Sequence, residues 1–175
     1  MANARNIGTY AGVAAAAVVL DQLTKAWART ALAAGPVPFI PGVLNLQLVM
    51  NTGAAFSIGS GSTWVFVLLA LAICAGCTYW VIREKGMGLP LACALGAVAG
   101  GGVGNLIDRV AAGQVTDFFA TAFIDFPVFN VADIFVTCGV VIAFVLVWRE
   151  DAMAEAAEKA AEGDSAEGGD AREER

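Results

Sequence analysis

The sequence predicts an all-α polytopic membrane protein with four transmembrane helices, and three observations carry the prediction. Hydrophobic residue types make up 58% of the 175 residues and charged types only 15%, with a mean hydropathy of +0.71, whereas soluble domains carry about 25% charged residues. No Asp, Glu, Lys or Arg occurs between Arg29 and Arg83, a stretch too long to cover a water-facing surface but suited to a bilayer. Thr63–Ile82 is 20 residues without a charge, with Trp64 and Trp80 near its ends. As a helix it reaches about 30 Å, the thickness of a hydrocarbon core, and indole rings favour the interfaces at its ends.

The other spans follow from the same reasoning. The first covers about 8–28. Arg5 ahead of an apolar run has the look of a signal peptide, but the run contains Asp21 and Lys25, continues to Trp27 and shows no convincing small-residue cleavage site. The third span covers about 89–107 and the fourth about 131–148. Arg5, Arg83, Lys85 and Arg149 flank one side of this arrangement, and Arg29 and Arg109 the other. The bias puts both termini in the cytoplasm and loops 29–62 and 108–130 outside.

The formal charge of −6 is local. Residues 150–175 hold ten acids and three bases, while the rest of the chain holds six acids and seven bases. The tail cannot bury enough apolar surface to offset its ordering entropy, so residues 150–175 are expected to be a disordered acidic cytoplasmic tail beyond a short helical start. No basic patch suggests nucleic-acid binding. Cys74 and Cys77 form a CxxC pair and Cys93 and Cys138 also lie in apolar runs; packing explains them, and redox or metal chemistry is the alternative. His is absent, which removes the commonest metal ligand and the usual base of a nucleophilic dyad.

In the loop between spans one and two, Leu44, Leu46 and Leu48 alternate with Asn45, Gln47 and Val49, behind Pro36, Pro38 and Pro41-Gly42. Period two predicts a strand in a small sheet on the membrane surface. Its apolar edge could hold an extended peptide, or the segment could be a packed loop.

The ionisable residues of the body gather at one depth. Asp21 and Lys25 lie in the outward half of span one, Asp108 and Arg109 close span three, Asp133 opens span four and Asp117 lies in the loop between the last two. Ionised groups in a membrane need partners. Asp21 and Lys25 are spaced i,i+4 and can pair, as are Asn105 and Arg109. Gly96, Gly100, Gly104 and Asp108 recur every four residues, a face that lets another helix approach closely and ends in a carboxylate. Asp108 and Arg109 either fasten helix ends as an ion pair or contact substrate. Asp117 and Asp133 have no base at i±4. If close, they repel, and one keeps its proton at neutral pH, as aspartic hydrolysis requires. Helix capping by Asn130 and Asp133 is the alternative reading of the latter.

Five segments carry a family likeness: Asp21-Gln22-Leu23-Thr24-Lys25, Asn51-Thr52-Gly53-Ala54-Ala55-Phe56, Gly101-Gly102-Val103-Gly104-Asn105-Leu106-Ile107-Asp108-Arg109, Val115-Thr116-Asp117-Phe118 and Phe129-Asn130-Val131-Ala132-Asp133. In this order and spacing the chain resembles the aspartic lipoprotein signal peptidases, or signal peptidase II, over about residues 8–149. The resemblance implies four transmembrane helices with a small periplasmic β-cradle, here about 36–61, and both termini cytoplasmic in the bacterial inner membrane. It implies Asp117 and Asp133 as the catalytic pair. Asp21, Asn51, Asn105, Asp108, Arg109 and Asn130 would be the surrounding substrate-binding and supporting residues, with Lys25 supporting Asp21. The implied substrate is a diacylglyceryl-modified prolipoprotein in membrane lipid, cleaved just before its lipidated Cys. Globomycin-type inhibitors are expected, no cofactor or metal is needed, and the enzyme is expected to be monomeric. Asp125 lies outside the matched segments and reads as loop surface.

Three rival readings remain. A transporter would spread polar residues through several depths, whereas here they stop in the outer half. A Ser–Lys peptidase would use Ser57, Ser60 or Ser62 with Lys25. A non-catalytic membrane scaffold would turn over no precursor.

Overall fold

A computed structural model of the chain describes the backbone of residues 2–53 and 63–173, and side chains within 3–53 and 63–157. Residues 54–62, which include the motif residues Ala54, Ala55 and Phe56, the serines at 57, 60 and 62 and the end of the expected cradle, lie outside the described residues. Four helices, α1 (Ala2–Ala31), α2 (Thr63–Arg83), α3 (Leu89–Ala112) and α4 (Val131–Glu173), combine with strands β1 (Val37–Ile40), β2 (Leu44–Asn51) and β3 (Val115–Thr121). Each helix is long and apolar enough to cross a membrane. The protein is a polytopic membrane protein with a three-stranded antiparallel sheet in the order β1-β2-β3 at one end of the bundle.

The helices run past the spans expected from the sequence. α3 continues beyond Asp108 and Arg109 to Ala112 and stops at Gly113, whose φ of 71° is a left-handed cap of the kind glycine adopts without strain. α4 runs unbroken through the acidic segment to Glu173, a longer helix than the short start expected there. Ala and Glu are strong helix formers, and no proline interrupts them. β3 follows Gly113 directly. It was not anticipated, because a seven-residue strand in which four consecutive residues are buried has no period-two signal.

α3 is the central helix and packs on the other three. A β-carbon added at Gly100 would lie 2.5 Å from the Ala14 carbonyl oxygen, and one at Gly96 2.7 Å from that of Tyr10. On the adjoining ridge, one at Gly101 would lie 2.5 Å from the Ala132 carbonyl oxygen. Small residues thus bring both α1 and α4 to backbone contact with α3. At the end away from the sheet, the buried Asn6 donates from Nδ2 to the Met87 carbonyl at 2.7 Å and ties α1 to the α2–α3 turn. Lipid replaces water around the outer faces, where Leu68, Leu69, Val141 and Phe144 are exposed.

This packing yields a prediction. Gly100→Ala should destabilise the bundle by about 1–3 kcal/mol through overpacking, measured as a lower thermal midpoint in detergent. Gly76→Ala, where a β-carbon would meet nothing within 4 Å, should not.

Candidate active site

The site begins at a lysine with no exposure to solvent. Lys25, on α1, is 0% exposed. Its ammonium has three protons and three acceptors: Asp21 Oδ2 at 2.9 Å, Asp108 Oδ2 at 3.2 Å and Asn105 Oδ1 at 2.8 Å. Two carboxylates and one amide satisfy every donor, and Arg29 Nη1, 4.0 Å from Asp108 Oδ1, sets a second cation against the second acid, which is the condition for tolerating buried ions. Asp21 accepts the Ala132 amide at 3.0 Å and so also reaches α4. Asp108 accepts the Thr116 amide at 3.0 Å, fixing the start of β3. Gln22 Nε2 adds donations to Asp21 Oδ2, the Gly104 carbonyl and Asp108 Oδ1 at 3.1–3.3 Å.

Lys25 orients Asn105. With Asn105 Oδ1 accepting from Lys25 and also from Asn130 Nδ2 at 3.0 Å, its Nδ2 turns to Asp133 Oδ1 at 2.8 Å. Asn130 is the cap of α4. Its Oδ1 accepts the Asp133 amide at 3.0 Å, and Asp133 Oδ2 accepts the Asn130 amide at 3.0 Å, a reciprocal capping box. Asn130 Nδ2 also donates to Asp117 Oδ1 at 2.7 Å. Asp133 both caps α4 and joins the cluster: one oxygen accepts the Asn130 amide and the other faces Asn105.

Asn51 meets Asp117 because of an irregularity in the sheet. Leu46 stands opposite Phe119, but Val49 stands opposite Asp117 and Asn51 opposite Val115, so β2 carries one extra residue in a bulge. Without it Leu48 would face Asp117 and Asn51 would point to the other side of the sheet. With it, Asn51 shares the Asp117 face and donates from Nδ2 to Asp117 Oδ2 at 2.9 Å, while its Oδ1 accepts the Gly53 amide.

Asp117 and Asp133 are therefore two hydrogen bonds apart through Asn130 alone and three through Asn130 and Asn105, and both line one cavity of about 540 Å³. The sequence reading left the two acids without dedicated partners. Their partners are neutral amides, which spacing rules for bases do not find. Burial raises the Asp117 carboxyl from its usual 3.8 to about 6; the Asn51 hydrogen bond opposes this, nearby Asp133 adds to it, and Asn130 and Lys25 oppose it. Of the two acids, Asp117 is thus the one whose surroundings favour the protonated form.

Beside the pair, Arg109 lines the cavity. Its Nη2 donates to the Gly53 carbonyl at 3.2 Å and its guanidinium lies 5.3 Å from the Phe66 ring centroid. Arg109 forms no salt bridge with Asp108 among the described residues; Asp108 fastens α1 and β3 instead. All nine expected site residues thus come together. The sequence reading missed Gln22, which lies inside a matched motif, and the Arg29–Thr116 contact (Nη1 to Oγ1, 2.9 Å). Both depend on partners more than 80 residues away. Cys74, Cys77, Cys93 and Cys138 carry free thiols.

A four-helix membrane bundle with two amide-held carboxylates in an apolar cavity at its sheet end has the construction of a membrane-embedded aspartic peptidase. Residues 13–149 match the family model described as signal peptidase (SPase) II, and the chain belongs to that family. The lipoprotein signal peptidases of Streptococcus pyogenes serotype M1 and of serotype M5 (strain Manfredo) are each 38% identical over 135 residues, covering 77% of this chain and 89% of theirs. A bacterial membrane enzyme solved by the in meso method at 2.3 Å superposes with a TM-score of 0.77 at 33% identity, over 82% of this chain and 90% of that one. Another, solved at 1.9 Å, gives 0.73 at 34% identity over 80% and 92%.

Two outcomes are expected from these contacts. Lys25→Met leaves two buried carboxylates without their cation and should cost about 3–5 kcal/mol, seen as lost thermal stability in detergent that Asp21→Asn in the same chain partly restores. Asn51→Ala removes a hydrogen bond that favours the ionised form, so the Asp117 pKa rises further. The alkaline limb of the pH profile of kcat/KM should then move to higher pH.

Proposed function

We propose that Asp117 and Asp133 are the catalytic pair of an endopeptidase that cleaves diacylglyceryl-modified prolipoproteins just before the lipidated Cys, at the periplasmic face of the bacterial inner membrane. The reaction is that of the family, removal of the signal peptide from a prolipoprotein. The observation that carries the assignment of the pair is the amide chain joining Asp117 to Asp133 at the rim of an apolar cavity.

The pair holds one proton between two carboxylates. The ionised member takes a proton from water as its oxygen attacks the scissile carbonyl, and the protonated member donates to the developing oxyanion. Collapse of the tetrahedral intermediate breaks the C–N bond as a proton passes to the leaving amine. Asn51, Asn105 and Asn130 hold the carboxylates in position, and the Arg109 guanidinium beside the cavity contacts the substrate backbone. Asp21, Lys25 and Asp108 support them from below.

Ile134, Thr137 and Cys138 extend the cavity along one face of α4 into the span. That face suits an apolar signal segment and the diacylglyceryl group, whose binding supplies energy remote from the scissile bond. A globomycin-type cyclic peptide would compete for the same cavity. The basic residues flanking the spans support an orientation with both termini in the cytoplasm and the sheet outside. Residues 1–149 act as a monomeric peptidase unit, with β1, β2 and β3 as the β-cradle, and the acidic segment 150–175 takes no part in the site.

The test is processing of a diacylglyceryl precursor by purified Asp117→Asn and Asp133→Asn variants. Each should lose at least 10³-fold in kcat, the order expected when an essential acid–base group is removed. Asp117→Asn should keep its fold. A carboxyl whose folded pKa lies above its unfolded value costs stability as pH rises from about 3.8 to 6 and throughout the range above. Its replacement by a neutral amide therefore leaves the thermal midpoint at pH 7 the same or higher. Normal cleavage by the double variant would end the assignment.

A further inference from the structure

A second cavity, of about 430 Å³, adjoins the first at Asp117. It shares Asn51, Asp117 and Phe126–Val128 with the first, and adds Val49, Met50, Thr52 and Asp125. Every lining residue belongs to β2, to the bend at Thr52 that follows it, to β3 or to the loop between β3 and α4, and none to a span. The first cavity, by contrast, takes Asn105 and Arg109 from α3 and Asp133, Ile134, Thr137 and Cys138 from α4. Asp117 thus lines both a cavity bordered by two membrane-spanning helices and one bordered by the sheet and its loops alone. Val49–Thr52 line the outer cavity in succession, so main-chain groups as well as side chains face it.

Its charge is one-sided. Asp117 and Asp125 both line it and no base does. Arg109 is held on the other cavity by the Gly53 carbonyl and the Phe66 ring, and the Lys25 donors are consumed. Arg29 is directed to Thr116 Oγ1 and Asp108, and Thr116 alternates with Asp117 across β3. Residues 54–62 contain no ionisable side chain. Among the described residues Asp125 forms no salt bridge.

Resting on the function proposed above, we infer that the outer cavity receives the second and third residues after the lipidated Cys, and that Asp125 selects there for cationic or neutral side chains over acidic ones. The direction of the substrate requires a site of this kind. The signal segment and the lipid both stay on the membrane side of the scissile bond, and the released chain must leave toward water past Asp117. A substrate carboxylate entering this cavity meets two carboxylates and no cation, in a recess that water and salt screen only in part. Asp125 is exposed in the loop between β3 and α4, as the sequence predicts, and the proposal adds a specificity role to that position.

The test uses the full-length enzyme in detergent and synthetic diacylglyceryl lipopeptides that differ only in carrying Lys, Gln or Asp at both positions. At low salt the wild type should cleave in the order Lys, Gln, Asp, with kcat/KM for Lys about fivefold or more above that for Asp. The ratio should shrink with added salt, and Asp125→Asn should bring it to within about twofold. A wild-type ratio near one, or the same ratio in Asp125→Asn, overturns the inference while leaving the peptidase assignment intact. Failure of the wild type to cleave any of the three peptides would instead refute the proposed function, and this subsite with it.

Discussion

The whole site depends on keeping one ammonium group dry. Lys25 can stay buried because Asp21, Asp108 and Asn105 converge on it, and they can converge because α1 and α3 touch backbone to backbone at Gly96 and Gly100. Even Gly104 is part of this: a β-carbon there would collide with Asp21 Oδ2. A close helix contact without the ion cluster would be ordinary membrane packing, and the cluster without the contact would be an uncompensated charge in lipid. Together they form a rigid base, and its last donor sets the amide of Asn105.

From that amide outward the network contains no cation in contact with the candidate pair. Asn105, Asn130 and Asn51 give Asp133 and Asp117 two hydrogen-bond donors each, counting the Asn130 main chain. A lysine or arginine in the same positions would hold both acids ionised. Neutral amides position the carboxylates without fixing their charge, which suits the acid–base role proposed for them.

Much of this was legible in the sequence, for identifiable reasons. Span two announced itself because twenty charge-free residues have no other stable use. The i,i+4 spacing of Asp21 and Lys25 and the four-residue glycine period fixed faces of single helices, and the structure keeps both. The likeness in five motifs then named nine residues that the fold brings together. What stayed hidden was non-local or irregular. β3 lacks alternation because its first four residues are all buried. The β2 bulge reverses which face Asn51 occupies, and a strict period-two reading puts that residue on the wrong side. Gln22 and Arg29 act on partners on α3 and β3 that no local pattern predicts.

The double duty of Asp133 has a consequence for how the enzyme fails. One of its oxygens closes the first turn of α4, and helix ends are the parts of a protein that open with least free energy. Fraying of that turn releases Asp133 and Asn130 at once, and with Asn130 goes a donor to Asp117. Warming should therefore silence the enzyme while its four spans are still assembled. On the role proposed for Asp133, heat inactivation of this kind should be reversible, with the turn closing again on cooling before the bundle has come apart.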